Sequence, residues 1–274
     1  MSRTGSLYID RNTIFHRLDG SIKLMLWICW TIFIFMFMDI RVFAIMTIVG
    51  FVLLRIAQIP FKSIKPLLIF IIIFTIFNSI LLIIVTPEYG SQLTGKYTVL
   101  LNLFGVKLTM QTLFYALTLS LKYISLLPIT LLFLFTTNPS EFACSLNRLG
   151  VSYKVAYSIS IALRYIPDVR DEMINIINAQ EARGVPFKKG DANTIKLLKN
   201  YLTILFPLLI SSLQRVDVVS NAMDLRGFGK YKTRTWYNRR PLELNDYIFI
   251  VISIALVILG VFVKNNFLNK FYCI

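Results

Sequence analysis

The sequence predicts an all-α integral membrane protein, with about five transmembrane helices and a cytoplasmic domain of three amphipathic helices inserted before the last span. Three observations carry that reading. Hydrophobic residues make up 56% of the 274 positions and charged residues only 16%, with a mean hydropathy of +0.68. A soluble domain is about a quarter charged, so this chain has too few charges to cover a water-facing surface. The apolar residues also gather in runs that match the roughly 20 helical residues needed to cross a bilayer core. Finally, one charged region keeps apolar residues at helical spacing. The hydrophobicity excludes disorder, and 12 Gly and 3 Cys exclude a collagen-like or disulfide-framework protein.

Residues 1–23 carry several charges ahead of any apolar run and read as a cytoplasmic N-terminal segment, not as a cleavable signal peptide. Residues 24–136 hold four spans. The stretch Ile22 to Ile59 is interrupted only by Lys23, Asp39, Arg41 and Arg55, which is too long for one span and fits two, with Asp39-Ile40-Arg41 as the turn. Pro66 to Val85 is the third, and 88–106 reads as a polar loop. Lys107 to Thr136 holds the fourth, with Lys122 and Pro128 inside it. Residues 137–230 form the cytoplasmic helical domain, 231–246 a basic juxtamembrane segment, and 247–274 the last span (Tyr247 to Val263) with a short tail.

Within the charged region, helices are expected at about 139–149, 152–184 and 193–228. Asn138-Pro139-Ser140-Glu141 supplies a cap, a first-turn proline and an early acid. Gly150, Gly184 and Gly227 supply the stops. Pro167 and Pro207 either kink the two long helices or break them. Segments 1–23, 58–65 and 137–246 hold 22 of the 29 Lys and Arg, whereas 86–106 holds one, Lys96. Cytoplasmic loops collect such residues, so the N-terminus is expected inside. The net charge of +15 then needs no nucleic acid.

The region contains an internal repeat. Asn178-Ala179-Gln180-Glu181-Ala182-Arg183-Gly184 matches Asn221-Ala222-Met223-Asp224-Leu225-Arg226-Gly227 at a constant offset of 43. The register extends upstream: Met173, Ile176, Gln180 and Arg183 share their spacing with Val216, Val219, Met223 and Arg226. Each arginine therefore continues the apolar stripe of its helix, with Glu181 and Asp224 on the opposite face. A last-turn cation complements the helix dipole, and the following glycine permits a left-handed stop. Ordinary capping explains one copy. Two copies in one register suit a docking device, because a guanidinium framed by apolar side chains can enter a groove and pair bidentately with a carboxylate. Two tips suit a pair of similar partners.

Four segments resemble the transmembrane T component of energy-coupling factor (ECF) vitamin transporters, and the resemblance covers nearly the whole chain. They are His16-Arg17-Leu18-Asp19; Thr136-Thr137-Asn138-Pro139; Ala162-Leu163-Arg164-Tyr165-Ile166-Pro167 leading into the first repeat; and Phe206-Pro207-Leu208-Leu209 leading into the second. The chain departs from the family pattern at Leu225, where Ala is frequent, and at Gly20-Ser21, where Pro-Arg is usual after the aspartate. The resemblance implies that the three cytoplasmic helices are coupling helices. It further implies that Ala182-Arg183-Gly184 and Leu225-Arg226-Gly227 dock into two ABC-type ATPase subunits, of the A and A′ kinds, and that a small substrate-binding S component rides on the scaffold. ATP and Mg would be bound by the ATPases and no cofactor by this chain. The apolar face of the third cytoplasmic helix (Ile195, Leu197, Leu198, Leu202, Ile204, Leu205, Leu208, Leu209) is expected to meet the S component, chiefly through Leu198, Leu202, Leu205 and Leu209.

Other signals are discounted. Gly90-Ser91-Gln92-Leu93-Thr94-Gly95-Lys96-Tyr97 nearly spells a phosphate-binding loop, but Tyr97 stands where Ser or Thr would meet magnesium. His16 is the only histidine, and no cysteine pair is spaced for a metal, so neither a metal site nor a catalytic residue is expected. The Lys230–Arg240 run, with Trp236 and Tyr237, reads as a positive flank of the last span that can also meet anionic lipid. Two rivals stay open at this stage: an ABC permease with its own substrate site, and a membrane-embedded lipid-modifying enzyme.

Overall fold

The computed structural model describes residues 8–9, 11–94, 98–103, 106–187, 193–231, 234–236 and 241–266. The chain divides into two compact units, one of Tyr8–Thr137 with Arg240–Ile274 and one containing Asn138–Arg239.

The first unit contains α1 (Ile14–Arg17), α2 (Gly20–Met36), α3 (Ile40–Ile56), α4 (Phe61–Val85), α5 (Tyr89–Thr94), β1 (Val99–Leu103), β2 (Val106–Thr109), α6 (Met110–Thr136) and α10 (Leu244–Asn266). Local chemistry sets the helix starts. The Asp19 carboxylate accepts the Ser21 N–H at 2.9 Å and starts α2. The Asp39 carboxylate does the same with the Arg41 N–H at 2.9 Å and starts α3, so the expected polar turn is a cap. Asp246 reaches back from the first turn of α10 to the Glu243 N–H at 2.9 Å. The Lys23 ammonium, buried in α2, donates to the Thr136 carbonyl at the end of α6 at 2.7 Å, where a cation satisfies a carbonyl that has no intrahelical partner.

α6 runs through the middle of this unit and packs on α2, α3 and α4. One apolar cluster joins Phe15, Leu18, Leu54, Ile64, Leu131 and Phe135. A second joins Trp30, Phe33, Ile34, Phe43, Met46 and Ile129. Beyond Lys65 α4 is apolar on every side, and few of its residues are buried within the unit, as befits a helix solvated by lipid.

Several expected boundaries move. Pro66 lies inside α4, which starts at Phe61. Lys107 belongs to β2, and α6 starts at Met110. The expected loop at 88–106 contains α5 and an antiparallel hairpin pairing Leu101 with Leu108 and Leu103 with Val106. Strands of five and four residues are too short for period-two patterning to stand out. Lys96 and Tyr97 of the discounted phosphate loop lie outside the described residues. The Gly90 amide donates to Thr112 Oγ1 at 3.1 Å.

The second unit contains α7 (Pro139–Arg148), α8 (Tyr153–Ala182) and α9 (Thr194–Leu225). Both long helices continue through their prolines, Pro167 and Pro207, so neither proline is a break. α7 packs on α8. α8 and α9 run antiparallel, since Phe187 meets Tyr201, Glu172 meets Ser211 and Arg215, and Tyr153 and Tyr157 meet Phe228. By length and composition α4, α6, α9 and α10 are each long and apolar enough to cross a membrane, and α2 is a shorter apolar helix.

Candidate docking site

The two repeats end in the same backbone device. In the first, the Gly184 N–H donates to Glu181 O at 2.9 Å and the Val185 N–H to Gln180 O at 3.1 Å. In the second, the Gly227 N–H donates to Asp224 O at 2.9 Å and the Phe228 N–H to Met223 O at 3.0 Å. These paired bonds define a Schellman end, with Arg183 and Arg226 as the C-cap residues. The glycine that follows each arginine has positive φ, 85° at Gly184 and 67° at Gly227, a conformation that costs other residues roughly 1–2 kcal/mol.

Arg183 and Arg226 are exposed. Among the described residues neither guanidinium has a hydrogen-bond or ion-pair partner; the Arg226 backbone carbonyl accepts from Arg234 Nη2 at 3.0 Å. Ala182 is exposed, and Leu225 is 90% exposed. The supporting stripe is graded. Met173 and Val216 are exposed, whereas Ile176, Gln180, Val219 and Met223 are half-buried. Glu181 is half-buried and Asp224 exposed. Each arginine thus caps a partly covered stripe and projects beyond it. The antiparallel packing does not bring the two together. It puts them at opposite ends of the helix pair, and the stretch of α8 from Tyr157, beside Phe228, to Arg183 spans roughly 40 Å at about 1.5 Å per residue.

Leu198, Leu202, Leu205 and Leu209 are all exposed along one face of α9, flanked by Ile195, Phe206, Leu213 and Val216. Ile204 and Leu208, which share the expected apolar set, are buried. α9 therefore has two apolar faces, one of them uncovered.

Between the tips lies a pairing missing from the residue pattern first singled out. Arg215 Nη2 donates to Glu172 Oε2 at 2.9 Å, the Ser211 hydroxyl donates to the same carboxylate, and the Arg215 guanidinium lies 5.6 Å from the Tyr165 ring centroid. Glu172 and Arg215 are themselves 43 positions apart, so the repeat register held the signal. A half-exposed pair of this kind contributes up to about 1 kcal/mol. Tyr165, Asp168, Asp171, Glu172, Asn175 and Arg215 line a shallow, open polar depression.

A predominantly helical membrane protein with a two-tipped helix pair is the class that this geometry defines. The family model described as cobalt transport protein, CbiQ, matches residues 11–237. The chain is 29% identical over 267 residues to the energy-coupling factor transporter transmembrane protein EcfT of Streptococcus equi subsp. equi, covering 93% of each. It is 29% identical over 268 residues to EcfT of Staphylococcus aureus, covering 92% of this chain and 93% of that one. It is 27% identical over 269 residues to EcfT of Bacillus subtilis, covering 94% and 96%. The chain belongs to the CbiQ/EcfT family, the transmembrane components of energy-coupling factor transporters.

Proposed function

We propose that this chain is the scaffold of an ECF-type importer, in which two cytoplasmic ATPase subunits, one A and one A′, grip Arg183 and Arg226 and a substrate-binding S component sits on the exposed face of α9. The observation that carries the reading is the duplicated Schellman end, with its two solvent-facing guanidiniums free of partners among the described residues. Guanidinium forks suit bidentate carboxylate recognition. The N-terminus and the α7–α9 unit lie on the cytoplasmic side of the cell membrane, supported by the 22 of 29 Lys and Arg in segments 1–23, 58–65 and 137–246. ATP and Mg belong to the ATPases. The chain itself contributes no catalytic residue and binds neither cofactor, metal nor nucleic acid.

In this mechanism ATP binding draws the two ATPases together and moves the grooves that hold the tips. The motion passes along α8 and α9, whose gripped tips lie at opposite ends of the antiparallel pair. The leucine face formed by Leu198, Leu202, Leu205 and Leu209 shifts with them and tilts the S component. The test is co-purification of the ATPases with the membrane-inserted double variant Arg183→Glu/Arg226→Glu: loss of both is expected, and retention of both overturns the reading.

A further inference from the structure

Each arginine tip is held by the first turns of the other helix. After Arg183 the chain continues through Val185 and Pro186 to Phe187, which is buried. The Phe187 ring stands edge-on to Tyr201 of α9 with centroids 5.4 Å apart, the Tyr201 hydroxyl donates to the Phe187 carbonyl at 3.4 Å, and Asn200 Nδ2 donates to the Pro186 carbonyl at 2.9 Å. After Arg226 the next aromatic is Phe228, whose ring lies 5.6 Å from Tyr153 and 5.1 Å from Tyr157 of α8. Tyr157 is backed by Trp236 at 6.2 Å, and the Trp236 indole donates to Asn147 Oδ1 at 2.9 Å.

The repeat register holds at the centre and loosens at the clasps, whose anchors Phe187 and Phe228 are 41 positions apart. Tyr157 and Asn200 are 43 apart, as are Glu172 and Arg215, which meet between the clasps. Equivalent positions meet at the centre, and the foot of each helix grips the tip of the other. That is the pattern of an approximate local two-fold axis.

We propose that Phe187 and Phe228, with their clasps, are positioning residues for Arg183 and Arg226, and that the reciprocal grip makes α8 and α9 one mechanical body. The proposal rests on the docking reading. An aromatic anchor of this kind contributes through ring contact as well as burial, and it lies only two to four residues beyond the arginine it places. A pull on either tip therefore reaches the foot of the opposite helix as well as its own helix. The two ATPases act on a joined pair instead of on independent levers.

The experiment uses the full chain in lipid nanodiscs, alone and with its ATPase subunits. Phe187→Ala and Phe228→Ala are each expected to weaken ATPase binding at least tenfold, and Phe→Tyr at the same sites to restore it to within threefold. Without ATPases, Tyr157→Ala is expected to raise amide hydrogen exchange at 226–229 at least tenfold and leave 183–187 unchanged. The Asn200→Ala/Tyr201→Ala variant is expected to do the reverse. Exchange that rises only within the substituted helix, or alanine variants that bind the ATPases as the unsubstituted chain does, overturns the proposal. The exchange readout needs no partner. If the arginine variants keep the ATPases, the docking reading falls and exchange alone judges the reciprocal grip.

Discussion

The Asp19 backbone N–H donates to Asp246 Oδ1 at 3.1 Å, although the two residues lie 227 positions apart. One aspartate side chain thereby ties the start of α2 to the start of α10, while its other oxygen takes the Glu243 N–H. The Asp246 side chain is fully buried. Asp246→Ala removes an acceptor shared by two backbone donors and is expected to cost about 1–3 kcal/mol, the penalty of orphaning buried polar groups. Asp246→Asn, which retains one carbonyl oxygen, is expected to cost less. Thermal unfolding in detergent orders the three proteins.

Lys23 offers a parallel case. Its ammonium donates to Thr136 O at 2.7 Å and also approaches His16 O at 3.4 Å. Lys23→Met keeps much of the stem but leaves the α6 terminus without this donor. A loss of about 1–3 kcal/mol is expected, seen as a lower unfolding midpoint and faster proteolysis near Thr136.

For the tips, single substitutions are expected to be informative as well as the double one. Arg183→Glu and Arg226→Glu should each lower ATPase retention at least tenfold, about 1.4 kcal/mol at the level of binding. Higher ionic strength should weaken the unsubstituted complex, because the guanidiniums are exposed until bound. Retention measured across a salt series checks both statements.

Gly184 and Gly227 isolate the backbone contribution. A Cβ at either position would meet nothing within 4 Å, so Gly→Ala carries only the conformational cost of positive φ, roughly 1–2 kcal/mol. The expected outcome is a frayed helix end, with weakened docking and an intact membrane unit. Gly→Asn should be milder, since Asn tolerates this region better. Hydrogen exchange at Val185 and Phe228, whose N–H groups close the two ends, reports the fraying.

The uncovered face of α9 gives the last test. Leu202→Glu/Leu205→Glu is expected to release the S component while both ATPases remain bound, because the substituted face is distinct from the two tips. Loss of the ATPases together with the S component would count against a separate S-component face.

The long helices were readable because lipid and water impose different patterns on them. The long apolar run of α4 and the periodic α8 each announced their surroundings through residue spacing, and Gly184 and Gly227 marked the ends. The β1–β2 hairpin was not readable, since two short strands carry too few alternations. Pro66, Pro167 and Pro207 misled in part: each lies within a continuous helix, where neighbouring hydrogen bonds tolerate the missing donor. At the site, the spacing of Arg183 and Arg226 was visible in the sequence. The Phe187–Tyr201 and Phe228–Tyr157 contacts were not, because they depend on which helix lies opposite. Glu172 with Arg215 falls between these cases: the offset of 43 relates the two, but only the antiparallel packing turns a numerical coincidence into a bond.

The antiparallel course of α8 and α9 makes the chain a gauge. While α8 and α9 stay packed, the distance between its arginines is set by helix length, roughly 40 Å at about 1.5 Å per residue. In the docking proposed above, a pair of subunits seats both at once only when its sockets stand at that interval. A pair that parts them too far must release one side or pull α8 along α9.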